Sequence, residues 1–155
     1  MKKLLEQLRA DYPQIAFVYG DAFYWSPQDK SVTYCESSND PAVATWSLLH
    51  EVSHGILDHT SYKSDFELME LEVAAWHHAL NLGKKYHVRI DQEHIQDCLD
   101  TYRDWLHRRS TCPTCSMVSV QKDPKSYECF NCRCVWHVSN SRFCRPYRLK
   151  KTVIA

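Results

Sequence analysis

The sequence predicts an α+β fold: a small antiparallel sheet packed on a mainly helical body, followed by a separate C-terminal module. Three observations carry that prediction. Three runs rich in β-branched and aromatic residues fall within the first 34 positions. Apolar residues then recur at helical intervals from about residue 40 to residue 106. From Cys112 onward the chain changes to short segments, paired cysteines, aromatics and basic residues. A chain of 155 residues buries one core plus an appendage rather than two full-sized cores. The expected division is a body over 1–110 and a module over 111–155.

In chain order, "KKLLEQLRADY" places leucines at 4, 5 and 8, the spacing of a short amphipathic helix, and Pro13 stops it. "IAFVY", "AFYW" and "SVTY" follow as three strands, separated by "GD" and by the turn-forming "SPQDK". Asp40-Pro41 reads as an N-cap with proline in the first helical position, leading into a helix through Val43, Trp46, Leu49 and Val52. Ser64 and Glu67 have capping-box spacing and open a second helix that runs to about Tyr86 past a weak point at Gly83. A third begins near Asp91, carries Ile95, Leu99, Tyr102 and Leu106, and is expected to end before "RRSTCP". No internal repeat or low-complexity run interrupts this order.

Formal net charge is zero but unevenly divided. Residues 1–110 hold 11 Lys and Arg against 17 Asp and Glu, whereas residues 111–155 hold 8 against 2. A basic tail of this kind fits either a nucleic acid or an acidic protein surface, the plain alternative being a solvated basic face. No apolar run approaches the ~20 residues of a membrane span, and the N-terminal stretch meets acid and proline before a signal-peptide core can form. The expectation is a cytoplasmic protein without a membrane partner. In that reducing compartment, paired cysteines point to metal rather than disulfides.

The chain's most informative stretch is "SLLHEVSHGILDH", residues 47–59. On a helix His50 and His54 lie four apart on one face and can offer imidazole nitrogens to one ion at the ~2.0–2.1 Å zinc prefers, with Glu51 beside it as a general base for amide hydrolysis. A chain with nine histidines can produce HExxH by accident, so context decides. Catalytic zinc takes three protein ligands and keeps one position open, which requires a third ligand downstream.

The candidates are His59, Glu67, Glu70, Glu72, His77 and His78. On the second helix Leu68, Met69, Leu71, Ala75, Trp76, Ala79 and Leu82 form one apolar face. Glu72 falls near the centre of that face, His78 lies off its edge, and Glu67, Glu70 and His77 project from the opposite side. A carboxylate in a packing face costs several kcal/mol unless compensated, and a cation on the facing helix is the natural compensation. Glu72 is therefore the expected third ligand; pairing with a buried arginine is the alternative. His59, about 140° around from His54, cannot share the face of the two histidines. That leaves it to cap the helix, orient a ligand or bind substrate. The longer HExxHxxGxxH pattern fails at Leu57 and Thr60.

"LLHEVSHGILDH", followed by "ELMELEVAAWHHAL", resembles the ImmA/IrrE family of zinc metallopeptidases over roughly residues 30–82. The resemblance implies a zincin-like domain with a gluzincin-like site on His50, His54 and Glu72, a histidine at position 59, and an edge strand before the motif helix ("SVTY") along which substrate lies. Two positions depart from the pattern. Trp76 stands where the family usually has Asn or Asp, and Ser53 where it usually has Gly. Cys35 and Cys98 read as small core residues, although Cys35 follows the strand closely enough to reach the zinc as an inhibitory thiolate.

Cys112-Pro-Thr-Cys115 and Cys129-Phe-Asn-Cys132 enclose 13 residues. Two such turns complete a closed tetrahedral site, the signature of a structural zinc ribbon, so two zinc ions per chain are expected. Cys134 and His137 offer alternative fourth ligands, and Cys144 has no evident partner. Tyr127, Phe130 and Trp136 either pack a miniature core or stack on bases, with Arg133, Arg142, Arg145 and Arg148 on phosphates.

The favoured function is a cytoplasmic zinc endopeptidase whose ribbon recruits a protein substrate; for the family, targets are often DNA-binding repressors. Two alternatives stand beside it. One is a DNA-associated protease of the SprT type, which also joins HExxH to a ribbon but takes a histidine as third ligand. The other is a non-catalytic zinc-binding adaptor. Oligomeric state is not readable from the residues.

Overall fold

The computed structural model describes residues 1–35, 40–139 and the backbone of 148–150. It is an α+β protein whose chain divides into two compact units, Met1–Ser61 with Leu71–Ile95, and Tyr62–Glu70 with Gln96–Ala155.

In the first unit α1 (Lys2–Asp11) buries Leu4, Leu5 and Leu8, and its C-terminal Asp11 accepts from Lys85 Nζ at 2.7 Å and from the Tyr86 hydroxyl at 2.7 Å. Three strands follow: β1 (Ala16–Tyr19), β2 (Tyr24–Ser26) and β3 (Ser31–Tyr34). Their order is β1-β3-β2, with β1 parallel and β2 antiparallel to β3. The sheet is thus mixed rather than antiparallel, and "SVTY" is its central strand rather than an edge. The reason is local. A turn over 27–30, closed by Lys30 at φ 48°, makes β2 and β3 a hairpin, which leaves the other flank of β3 for β1. With partners on both sides, Ser31, Val32 and Thr33 are all buried.

Asp40 caps α2 (Pro41–Ile56) by accepting from the N–H groups of Ala42 and Val43 at 2.8 and 3.4 Å, with Pro41 opening the helix. Leu48, Leu49 and Val52 of α2 are fully buried, and the helix packs against β2 and β3. The next helix, α3 (Asp65–Tyr86), is capped by Ser64, whose hydroxyl accepts from the Glu67 N–H at 3.1 Å. Glu67 reaches back to the Lys63 N–H at 2.6 Å, one residue short of a reciprocal capping box. Gly83 does not break α3. A Cβ there would stand 2.6 Å from the Val88 carbonyl oxygen, so the glycine admits the returning chain.

The second unit holds most of α4 (Gln92–Ser110), which continues through Arg108 and Arg109 instead of ending before them. Arg109 is 1% exposed, lies 4.3 Å over the Trp105 ring, approaches Asp65 at 3.8 Å, and its carbonyl accepts from Trp136 Nε1 at 3.0 Å. A side chain held this way belongs inside the helix, not beyond it. A four-stranded antiparallel sheet completes the unit in the order β4 (Val120–Asp123), β5 (Ser126–Glu128), β6 (Val135–Val138) and β7 (Arg148–Lys150). Tyr127 and Trp136 stack at 5.5 Å inside its core. Among the described residues no helix is long and apolar enough to cross a membrane.

Candidate metal centres

Two clusters of ligand-type side chains stand out among the described residues: His50, His54 and Glu72, and Cys112, Cys115, Cys129 and Cys132. Within each, one ligand atom per residue lies within 4.8 Å of every other.

The first cluster is built by α2 and α3. His50 and His54, one helical turn apart, point their Nε2 atoms at one spot, 3.2 Å from each other. Glu72, 6% exposed, enters from the facing helix with Oε2 3.2 Å from His50 Nε2 and Oε1 3.7 Å from His54 Nε2. Burial pushes the Glu72 carboxyl up, but the contacts from His50 and then His54 reverse this and hold it at about 2. Four ligands at ~2.0–2.1 Å from a tetrahedral zinc stand ~3.3 Å apart, which these separations match. A hydrogen bond between the two imidazoles would still leave Glu72 Oε2 buried and without one, as it is among the described residues. The donor set therefore fits a divalent cation better than a hydrogen-bonded triad.

The neighbours of this cluster are as informative. His59 Nδ1 lies 2.9 Å from His54 Nδ1, so of its possible roles the geometry shows contact with a candidate ligand. Burial first, then the charge of His54, push the His59 pKa down. Glu51, half-buried, accepts the Trp25 backbone N–H on Oε2 at 2.8 Å, and the Trp25 indole N–H donates to the His59 carbonyl at 2.8 Å. Trp25 thereby ties β2 to both ends of the motif. Trp76 stacks on His50 with ring centroids 4.2 Å apart and planes at 22°. Ser53 donates to the Leu49 carbonyl at 2.7 Å and meets His78 Nδ1 at 3.2 Å. Of the rejected candidates, Glu70 and His77 are exposed. Beyond β2 an open groove of roughly 580 Å³ is lined by Tyr24, Trp25, Ser26, Pro27, Gln28, Thr60 and Ser61, none of them charged.

Sequence reasoning missed Trp25 and the contacts of Trp76 and His78. "AFYW" carries only a strand signal, and a tryptophan on an apolar helix face reads as core. Hydrogen bonds such as Trp25 to Glu51, 26 positions apart, leave no local pattern.

In the second cluster the sulfur of Cys112 lies 3.6 Å from that of Cys132, and Cys115 lies 3.5 Å from Cys129. Disulfide sulfurs stand ~2.05 Å apart, whereas thiolates on a tetrahedral zinc at ~2.3 Å stand ~3.8 Å apart, so the spacing is that of metal ligands. The backbone N–H of Cys132 draws the Cys129 thiol down to about 6. Cys132 behaves oppositely: a backbone N–H from Cys134 lowers it, but burial and the sulfurs of Cys115, Cys112 and Cys129 push it up to about 12. Were all four ionised, sulfurs this close would need a cation between them. Cys134 packs half-buried against the cluster, and Tyr127 and Trp136 are buried, which removes both rings from base stacking. Phe130 and Arg133 are exposed. Cys35 is buried and Cys98 half-buried. Arg142, Cys144 and Arg145 lie outside the described residues, as does the side chain of Arg148.

No protein-family model, no curated protein and no solved structure matches the chain. Function must be argued from the two clusters.

Proposed function

We propose that the chain is a cytoplasmic zinc endopeptidase of the ImmA/IrrE type, with a zincin-like body over 1–110 and a structural zinc ribbon over 111–155 that recruits an intracellular protein substrate, such as a DNA-binding repressor. The observation that carries the reading is the convergence of His50 Nε2, His54 Nε2 and the buried Glu72 carboxylate on one spot. A zinc ion held there would supply Lewis acidity, polarising a peptide carbonyl and acidifying water. Glu51, adjacent to His50 on α2 and steadied by the Trp25 N–H, takes a proton from the attacking water and passes it to the departing amine. His59 holds His54 by its Nδ1 so that Nε2 faces inward. The polypeptide enters beside β2, where the uncharged groove begins.

The test starts with metal content. Purified wild type should hold two zinc ions per chain, Glu72→Ala one, and Glu51→Gln two. In a cell extract, wild type should generate protein fragments that Glu51→Gln generates at a rate ~10²–10⁴-fold lower. A Glu72→Ala protein that keeps both ions removes the ligand assignment. Equal proteolysis by Glu51→Gln, or none by wild type, removes the base or the peptidase.

A further inference from the structure

The two imidazoles of the first cluster are supported differently. His54 has His59 against its Nδ1 at 2.9 Å. His50 has no such support: its Nδ1 is buried without a hydrogen-bond partner among the described residues. To offer a lone pair on Nε2, a neutral imidazole carries its proton on Nδ1. Ligand histidines ordinarily hand that N–H to an acceptor, which fixes the ring's orientation. Here the ring is fixed by a face instead. Trp76, 4% exposed, lies parallel to it at 4.2 Å and 22°. Trp76 follows Glu72 by four residues, so α3 presents both the carboxylate and the indole on one face. The indole is itself braced. His94 meets it edge-on at 5.8 Å, Trp46 packs on His94 at 4.9 Å, and Trp46 Nε1 donates to the Arg89 carbonyl at 3.1 Å.

We propose that Trp76 is the positioning residue for His50, setting the imidazole plane for metal binding by stacking in place of a hydrogen-bond acceptor on Nδ1. The inference rests on the metal reading of His50, His54 and Glu72. Rotation of the His50 ring about its Cβ–Cγ bond would swing Nε2 away from Glu72 and His54, and the parallel indole blocks that rotation.

The test is zinc affinity at the histidine cluster, read by chelator competition on the full chain, with the cysteine cluster as internal reference. Trp76→Leu should weaken the histidine site ~10–100-fold and leave the cysteine site unchanged. Trp76→Phe, which keeps a stacking ring, should stay within a few-fold of wild type. Trp105→Leu, an equally drastic change at another buried tryptophan, should leave the histidine site alone. Wild-type affinity in Trp76→Leu, or equal losses in Trp76→Leu and Trp76→Phe, overturns the proposal. Should Trp76→Leu fail to fold, histidine ¹⁵N spectra of zinc-loaded wild type decide. The His50 Nδ1–H should be present and shifted upfield by the indole ring current relative to that of His54, and an unshifted signal overturns the proposal. Wild type that binds one zinc only sinks the metal reading itself, whereas wild type with two ions and an indifferent Trp76→Leu sinks only this inference.

Discussion

At the scale of single residues, the motif depends on a position that contributes no functional group. A Cβ added at Gly55 would stand 2.8 Å from Ile15 Cδ1 and 3.0 Å from the Trp25 ring. Within a helix, Gly→Ala ordinarily gains up to ~1 kcal/mol. Here the neighbours must yield, and Trp25 has little freedom, since its backbone N–H is on Glu51 and its indole N–H on the His59 carbonyl. Overpacking of this kind costs ~1–3 kcal/mol, so the clash should win. Gly55→Ala is expected to unfold at lower denaturant concentration. Because Trp25 is what holds Glu51, the proposed peptidase activity should also fall, with the proposed content of two zinc ions unchanged. Metal analysis alongside turnover checks this; unchanged turnover with lowered stability would confine Trp25 to packing.

At the scale of elements, Asp65 shows how a helix start is held in the second unit. It accepts a hydrogen bond from the Tyr127 hydroxyl and lies 3.8 Å from Arg109, while its own N–H donates to Gln121 Oε1 at 2.8 Å. Burial raises its pKa above the ordinary carboxylate value of 3.8, and the charge of Arg109 only partly offsets this. The folded state therefore binds more protons than the unfolded state between 3.8 and the raised value. The resulting contribution to stability is complete below 3.8 and is lost as pH rises through the folded value. Asp65→Asn has no such proton to lose. Its stability relative to wild type should rise across that window as pH increases, measured by denaturant unfolding at a series of pH values, and a flat or falling difference would contradict the assignment. Helix starts were legible in the sequence because caps act over two to three residues, as at Asp40-Pro41 and Ser64. Glu72 was legible because one charge on an apolar face is a local anomaly. The parallel pairing of β1 with β3 was not, since three strands of three or four residues carry no register signal and the choice rests on which flank the hairpin leaves free. Nor was the extension of α4 through Arg109, where a charged residue is kept helical by partners 15 to 44 positions away.

At the scale of the whole molecule, the proposed C-terminal ribbon carries candidate ligands inside its own core. Among the described residues its buried cluster includes Cys112, Tyr127, Cys129, Trp136 and Val138, and two of those five are themselves candidate metal ligands. Side chains that double as ligands would otherwise add little apolar burial, so an ion held by them would help to offset the entropy of ordering the segment around them. On the proposed reading, zinc on the four cysteines would supply ~10–16 kcal/mol at neutral pH, comparable with the entire ~5–15 kcal/mol stability of an ordinary domain. Binding and folding of the module should accordingly be one event. The stacked Tyr127–Trp136 pair reports on it, because two rings 5.5 Å apart at 11° give a near-ultraviolet circular dichroism signal only while held in place. Chelation should abolish that signal, and one equivalent of zinc at the cysteines should restore it. Cys129→Ser should lack it at stoichiometric zinc. Glu72→Ala, which removes a ligand from the other cluster alone, should retain it, so the two sites can be emptied separately and each loss traced to its own part of the chain. A signal that survives complete metal removal would mean that this small core stands without an ion, and the cysteine cluster would then need another explanation.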